Sequence, residues 1–375
     1  MFSKVYRWLV SSLTNTVSLK AYFQPFIRII NSSWSVDNFS AKIKAIKNET
    51  EDTFTIVLKP SFTWGGFKAG QFIQLTVEIE GSLLTRTFSI SSAPSFYQQK
   101  GLIEVTIQKQ PKGRVTPVIQ NLLKKNQYIA ISRAKGDFVN TENMNTTLFI
   151  AGGSGITPIK SLITELVGNS ENKIKLMYYS RNNRHLFKEY LSSLESKHSN
   201  LTIKFVNTST ESRINRKQIK SFCPDLTSSE TFICGPSAMI KETENLLLDE
   251  GVNPEKVHFE YFGSAPFEGF DIENLDIENL DVEGLDNKRH GAVTFQQSLI
   301  KVDTANIKNM SLLEVAESNG MSPNSGCRMG VCHQCVCKKK QGVIYNTLTK
   351  MFSDTGAQDI QLCVSIPVGD VILDL

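Results

Sequence analysis

The feature that most constrains this chain is a crowding of cysteines near its C-terminal end. Cys327, Cys332 and Cys335 are spaced C-x4-C-x2-C, and a fourth, Cys363, follows at a distance. Four thiolates in that pattern suit the two irons of one [2Fe-2S] cluster. The loop has to wrap closely while its N–H groups face the sulfurs, and Ser325, Gly326 and Gly330 provide the freedom for that. A zinc site expects paired CxxC knuckles or histidines at zinc spacing, and neither arrangement is present. Cys337 sits on a predicted strand that turns it away from Cys335, so it reads as structural. Short spacings of this kind favour metal ligation over disulfides and place the chain in a reducing cytoplasm.

A cluster loop needs only a small domain, and 375 residues at 40% hydrophobic and 21% charged predict two or three. No apolar run approaches the roughly 18 residues of a membrane span. The N-terminus lacks the apolar core of a cleavable export signal. Net charge is +4, but residues 267–286 hold eight acids and no base, so the remainder is distinctly basic. Those bases are scattered among predicted strands and helices, which argues for anionic ligands and against nucleic acid.

Residues 1–38 form an N-terminal extension in which Phe2, Val5, Tyr6, Leu9 and Leu13 mark one face of an amphipathic helix. That face either packs on the body or meets a partner or membrane surface. Residues 39–142 read as six β-strands separated by turns, the pattern of an antiparallel barrel. From 143 to 266, apolar strands alternate with helical segments, which predicts a parallel sheet with helices on both faces. Residues 267–288 contain DIENL, DIENL and DVEGL in succession and read as an acidic linker or a docking segment. Residues 289–375 hold a strand pair, a helix, the cysteine loop and closing strands.

Three further motifs carry chemistry. Arg86-Thr87-Phe88-Ser89 ends a barrel strand, and Gly113-Arg114-Val115-Thr116 opens a predicted helix; an arginine and helix N–H groups both suit a pyrophosphate. Either segment alone occurs by chance in many proteins. Ala151-Gly152-Gly153-Ser154-Gly155-Ile156-Thr157-Pro158 and Ile233-Cys234-Gly235-Pro236 then follow apolar strands, where glycines admit a dinucleotide. In this order, over residues 39–266, the motifs resemble the ferredoxin-NADP reductase superfamily. The segment SGCRMGVCHQC, with the whole of 289–375, resembles the plant-type ferredoxin domain, a β-grasp fold. One departure is that Cys332-His333-Gln334-Cys335 lacks the glycine found there in many such loops.

The resemblance implies a multidomain protein: an FAD-binding β-barrel, an α/β NAD(P)-binding domain and a β-grasp (α+β) ferredoxin domain. It implies that Arg86 holds the FAD pyrophosphate, Phe88 packs against the flavin and Ser89 lies near N5. Thr87, Gly113, Val115 and Thr116 complete the FAD set. Gly153, Gly155, Thr157, Cys234, Gly235 and Pro236 bound the nicotinamide nucleotide, with Cys234 near the reacting C4, and Glu260 and Phe262 lie near both rings or serve packing. Ser180, Arg181 and Arg184 stand without an acid after the second α/β strand, which favours the 2'-phosphate of NADPH. NADH-using relatives also carry an arginine nearby, so NADH stays open.

The implied activity is a transfer of electrons from NAD(P)H through FAD to the cluster and out to an acceptor, with the protein supplying binding and orientation. Trp34, RTFSISSAP, CRMGVCHQC and LCVSIPVGDVILDL resemble reductases that serve diiron fatty-acid desaturases of membranes, which the resemblance favours as the acceptor. Phenylacetyl-CoA-type or ring-hydroxylating oxygenases and hybrid-cluster proteins are the alternative acceptors. A desaturase partner goes with peripheral contact through residues 1–30 at the inner face of the membrane.

Overall fold

The computed structural model describes residues 39–79, 81–111, 115–140, 145–262, 291–306, 310–321, 323–326, 328, 330 and 333–375. The amphipathic extension 1–38 and the acidic segment 267–288 lie outside them. Packing divides the chain into two compact units. One holds the residues up to 213 with 217–232 and 253–258, and the other holds 214–216, 233–252 and 259–375.

Among the described residues, the β-rich stretch forms six strands: β1 (Phe39–Asn48), β2 (Thr53–Pro60), β3 (Phe72–Ile79), β4 (Ser82–Ser89), β5 (Ile103–Gln108) and β6 (Tyr128–Ile131). They pair antiparallel in the order β4-β3-β6-β1-β2-β5. A bridge between Ile90, just after β4, and Val105 of β5 brings the two edges together, so the sheet curls toward a closed barrel. Alternation along β3 sends Ile73, Leu75 and Val77 into the core with Ile43, Ile56, Leu58 and Ile107. Each such side chain contributes about 1.5–3 kcal/mol on burial. Two short helices interrupt the strands, α1 (Pro94–Lys100) and α2 (Thr116–Leu122). The strand reading of the sequence passes over α1, which opens on a proline and ends at Gly101 with φ of 65°.

The α/β stretch supplies β7 (Thr146–Gly152), β8 (Lys173–Ser180), β9 (Leu201–Asn207), β10 (Glu230–Gly235) and β11 (Val257–Tyr261), in the order β11-β10-β7-β8-β9. β7, β8 and β9 run parallel. All seven residues of β7 are buried, as expected of a strand covered on both faces. The helices are α3 (Ile156–Leu166), α4 (Lys188–Lys197), α5 (Arg216–Phe222) and α6 (Ser237–Asp249). Because the strand order reverses at β7, the ligand crevice of such a sheet belongs at its carboxyl end, where the Gly153 loop leads into α3.

The C-terminal stretch holds β12 (Ala292–Phe295), β13 (Ile300–Asp303), α7 (Leu312–Ser318), β14 (Val336–Asn346), β15 (Met351–Phe352), β16 (Gln358–Gln361) and β17 (Ser365–Leu373). Its sheet runs β13-β12-β17-β14-β15, with β16 pairing β14 and with β12 parallel to β17. Ser311 and Glu314 form a reciprocal capping box at the start of α7. That helix buries Leu312, Leu313, Val315 and Ala316 against the sheet. Among the described residues no helix is long and apolar enough to cross a membrane.

Candidate functional site

Of the four predicted cluster ligands, Cys327 and Cys332 lie outside the described residues. Cys335, just before β14, and Cys363, just after β16, are 3% and 2% exposed, and their sulfurs are 3.1 Å apart. Gly330 donates its N–H to Cys363 Sγ at 3.3 Å and has φ of 75°, a conformation natural to glycine. A Cβ there would meet Leu348 Cδ2 at 2.9 Å and Val364 Cγ1 at 3.1 Å. Two converging sulfurs and an N–H aimed at one of them fit an iron-sulfur cluster. The glycine missing after Cys332 is compensated directly: His333 itself takes φ of 56°. Gln361 holds the turn, reaching Gly330 O at 2.7 Å and His333 Nδ1 at 2.9 Å. Arg328, also at positive φ, is tied to Glu317 on α7 by two hydrogen bonds. Cys337 lies buried on β14, and burial followed by the charge of Asp374 pushes its thiol up to about 11.

On the barrel, β4 carries Arg86, Thr87, Phe88 and Ser89 opposite Leu75, Gln74, Ile73 and Phe72 of β3. Arg86 donates to Thr85 O at 2.8 Å, Phe88 packs against the barrel core, and Ser89 is 4% exposed. Among the described residues, Thr87 Oγ1 and Gln74 Nε2, on directly paired residues, are buried without a hydrogen-bond partner. Such atoms cost about 1–3 kcal/mol each when left unpaired, so the strand face that Thr87 and Gln74 share suits a polar ligand group. Gly113 and Arg114 lie outside the described residues. Val115 is buried in the barrel core, which leaves only its main chain for a ligand, and Thr116 Oγ1 accepts from Gln110 N at 2.9 Å. The Gly136-Asp137-Phe138 turn crosses Phe72, whose ring lies 2.9 Å from where a Cβ on Gly136 would stand.

At the end of β7, Gly153 has φ of 55°, and a Cβ there would meet no atom of the described residues within 4 Å. Gly155 leads into α3, and the buried Thr157 returns its hydroxyl to Ser154 O at 3.0 Å. At the end of β8, Arg181 and Arg184 are exposed on a loop in which Asn182 and Asn183 take φ of 52° and 57°. Ser180 Oγ holds that loop through Arg184 O at 2.9 Å, and Ser209 holds it through Asn182 N at 3.0 Å. Two guanidinium groups on a pinned loop, with no carboxylate on the same turn, suit an anionic nucleotide.

In the second unit Cys234 is fully buried at the end of β10, followed by buried Gly235 and exposed Pro236. Burial, reinforced by the charge of Glu260, raises the Cys234 thiol well above its ordinary range and keeps it protonated at neutral pH. Glu260, on β11, is 6% exposed, and Phe262 N donates to Gly235 O at 3.2 Å. These residues therefore present a neutral thiol beside a buried carboxylate.

Several ordered contacts escape motif reading. Tyr178 of β8 and His185 of the arginine loop are buried together, their rings 4.9 Å apart and edge to face. Lys160 is 7% exposed on α3 and reaches into the barrel. Only a lysine inside an otherwise apolar helical stripe could have flagged it in the sequence.

Comparison with known proteins adds three family matches along the chain. An oxidoreductase FAD-binding domain covers residues 40–139, an oxidoreductase NAD-binding domain 149–245 and a 2Fe-2S iron-sulfur cluster binding domain 300–368. An NADPH oxidoreductase of Mycobacterium tuberculosis is 25% identical over 358 residues, which are 93% of this chain and 88% of that protein. A glycine betaine monooxygenase reductase subunit of Pseudomonas aeruginosa is 25% identical over 323 residues, covering 82% and 87%. The solved structure of phthalate dioxygenase reductase superposes with a TM-score of 0.58 at 20% identity, covering 90% of this chain and 98% of that one.

Proposed function

The chain is an oxidoreductase of the ferredoxin-NADP reductase type with a C-terminal 2Fe-2S domain, and we propose that it draws electrons from NADPH to serve an oxygen-activating metalloenzyme. The observation that carries this is the succession of FAD-binding, NAD-binding and cluster-binding domains in one polypeptide. FAD and a [2Fe-2S] cluster, when bound, supply the conversion of a two-electron hydride donor into single electrons.

The chain's own residues bind and orient. Arg86, Thr87, Gly113, Val115 and Thr116 hold the FAD phosphates, while Phe88 and Ser89 face its ring. Gly153, Gly155 and Thr157 receive the nucleotide pyrophosphate, and Arg181 and Arg184 pair with a 2'-phosphate. Cys234, Gly235, Pro236, Glu260 and Phe262 border the nicotinamide, where a protonated thiol packs without competing as a nucleophile. Cys327, Cys332, Cys335 and Cys363 ligate the irons.

For the acceptor, the resemblance of RTFSISSAP, CRMGVCHQC and LCVSIPVGDVILDL points to a diiron fatty-acid desaturase, reached at a membrane surface. The names of relatives, a monooxygenase reductase subunit and an N-demethylase reductase subunit, favour an oxygenase component as the second reading. An anaerobic titration with NADPH and then NADH, following flavin and iron-sulfur absorbance separately, tests the common core. Both chromophores bleach at low NADPH if the proposal holds. Flavin bleaching alone removes the cluster step, and stronger bleaching by NADH removes the phosphate role of Arg181 and Arg184. Coupled turnover with a desaturase in vesicles against a soluble oxygenase then separates the two acceptors.

A further inference from the structure

Lys160 is the fifth residue of α3, one helical turn beyond Thr157 and the glycine loop. A lysine is seldom buried without a partner, and this one is 7% exposed. Its Nζ donates to the Ser91 carbonyl at 2.9 Å and meets Glu104 Oε2 of β5 at 3.3 Å. The ammonium also lies over two rings, 4.7 Å from the centroid of Phe187 and 5.0 Å from that of Tyr190. Burial lowers the Lys160 pKa while Glu104 opposes that, and Lys160 and Lys47 hold the Glu104 carboxyl below its ordinary range against its own burial.

The next residue adds a second anchor, with Ser161 Oγ donating to the Ser92 carbonyl at 2.6 Å. The same two-residue turn is fixed from the barrel side. Ser91 N donates to Glu104 O at 2.8 Å, Ser91 Oγ meets Thr106 Oγ1 at 2.8 Å, and Ser92 Oγ accepts from Glu104 N at 3.0 Å. Ser91 stands two residues after Ser89, the end of the strand bearing the arginine motif. The turn after that strand and the helix that begins at the glycine loop are thus joined through one buried cation and one hydroxyl.

We propose that Lys160 is a positioning residue, acting through Ser91 and assisted by Ser161, that sets the barrel strand ending at Ser89 in register with the glycine loop so that hydride passes at the right distance and angle. This rests on the reading of Ser89 as flavin-facing and of the glycine loop as nucleotide-binding. Hydride transfer is steep in geometry, and a misplacement of about 1 Å can cost about 100-fold in rate. The nucleotide-binding role is assigned above to Gly153, Arg181 and Arg184, and among the described residues the contacts of Lys160 are with Ser91, Glu104, Phe187 and Tyr190 instead, so the two quantities separate on substitution.

The test compares wild type with Lys160→Met and the milder Ser161→Ala in the full-length, FAD-loaded protein. Three quantities are read: the rate of flavin reduction by NADPH per bound FAD in stopped flow, the primary isotope effect with 4-deuterated NADPH, and the calorimetric Kd for NADP+. For Lys160→Met we expect a rate loss of about tenfold or more with a larger isotope effect and Kd within about twofold; Ser161→Ala moves the same way by less. Photochemical reduction of the flavin, which needs no nicotinamide, stays unchanged. A purely structural lysine would lower thermal stability and FAD retention while the rate per bound FAD held, and that result overturns the inference. If Lys160→Met does not fold, a Ser161→Ala rate within about twofold of wild type overturns it as well. Failure of wild-type flavin to be reduced by either nucleotide overturns the proposed function and this inference together, whereas normal wild-type reduction with unaffected variants overturns this inference alone.

Discussion

The Tyr178 hydroxyl donates to the Gly153 carbonyl at 3.0 Å and accepts the Leu186 N–H at the same distance, so one side chain from β8 ties the glycine loop to the arginine loop. Burial raises its pKa, which keeps the hydroxyl available as a donor over the accessible pH range. Tyr178→Phe keeps the ring and strands a buried N–H, a loss of about 1–3 kcal/mol. Part of that loss falls on nucleotide binding, because both loops must then be ordered by the ligand. Calorimetry should show the NADP+ Kd rising about three- to tenfold, and an unchanged Kd would remove the coupling.

His185 gives the same region a pH dependence. Its Nε2 lies 3.0 Å from Tyr178 O and 3.1 Å from Val206 O, so that nitrogen carries the proton. Burial lowers the His185 pKa below the ordinary 6.5, against the pull of those carbonyls. Above 6.5 the ring is neutral in both folded and unfolded chains and its full contribution is present. As pH falls from 6.5 toward the lower folded value, the unfolded chain binds the proton first and stability drops. Thermal unfolding at about pH 7.5 and about pH 5.5 should show a larger loss in wild type than in His185→Gln; equal losses would clear His185 of responsibility.

Thr87 separates stability from cofactor affinity. Its buried hydroxyl has no hydrogen-bond partner among the described residues, so Thr87→Val should leave the FAD-free protein as stable or stabilise it by about 1 kcal/mol. If Thr87 meets FAD, the same change weakens FAD binding by about fivefold or more. Fluorescence titration of the FAD-free protein measures this, and equal affinity in the two proteins would withdraw Thr87 from the site.

The fold was legible because its signals are local: β7 is a continuous apolar run, β3 alternates, and Gly153 follows its strand directly. The contacts that lock the site were not, because they join distant positions. Lys160 and Ser91 are 69 residues apart, and Tyr178 and Gly153 are 25 apart. His333 shows the limit from the other side. The sequence reveals that a glycine is missing after Cys332, but only tertiary contacts such as Gln361 explain how a histidine holds φ of 56°.

Lys339 is fully buried on β14, and its ammonium donates to three carbonyls, those of Gly342 and Gly356 at 2.6 Å and Asp354 at 2.7 Å. Lys339→Met fills the same space and leaves those acceptors unpaired, which should destabilise the C-terminal domain by about 3 kcal/mol or more. The urea midpoint for loss of iron-sulfur absorbance reads this directly. No shift in that midpoint would mean that water replaces the ammonium without penalty.

Gly330 faces two separable demands. Its φ of 75° costs a residue with a Cβ about 1–2 kcal/mol, and that Cβ would also stand 2.9 Å from Leu348 Cδ2 and 3.1 Å from Val364 Cγ1. Leu348 is 56% exposed and its chain end can swing outward, whereas Val364 is 2% exposed and cannot. Gly330→Ala should therefore shift the loop, lengthen the N–H contact to Cys363 and lower cluster retention, read as faster iron release to a chelator. Adding Leu348→Ala should recover only part of the loss, because it removes one clash and leaves the backbone strain and Val364 in place. Full recovery would show that the Leu348 contact alone makes glycine necessary here, and no recovery would assign the requirement to the backbone and Val364.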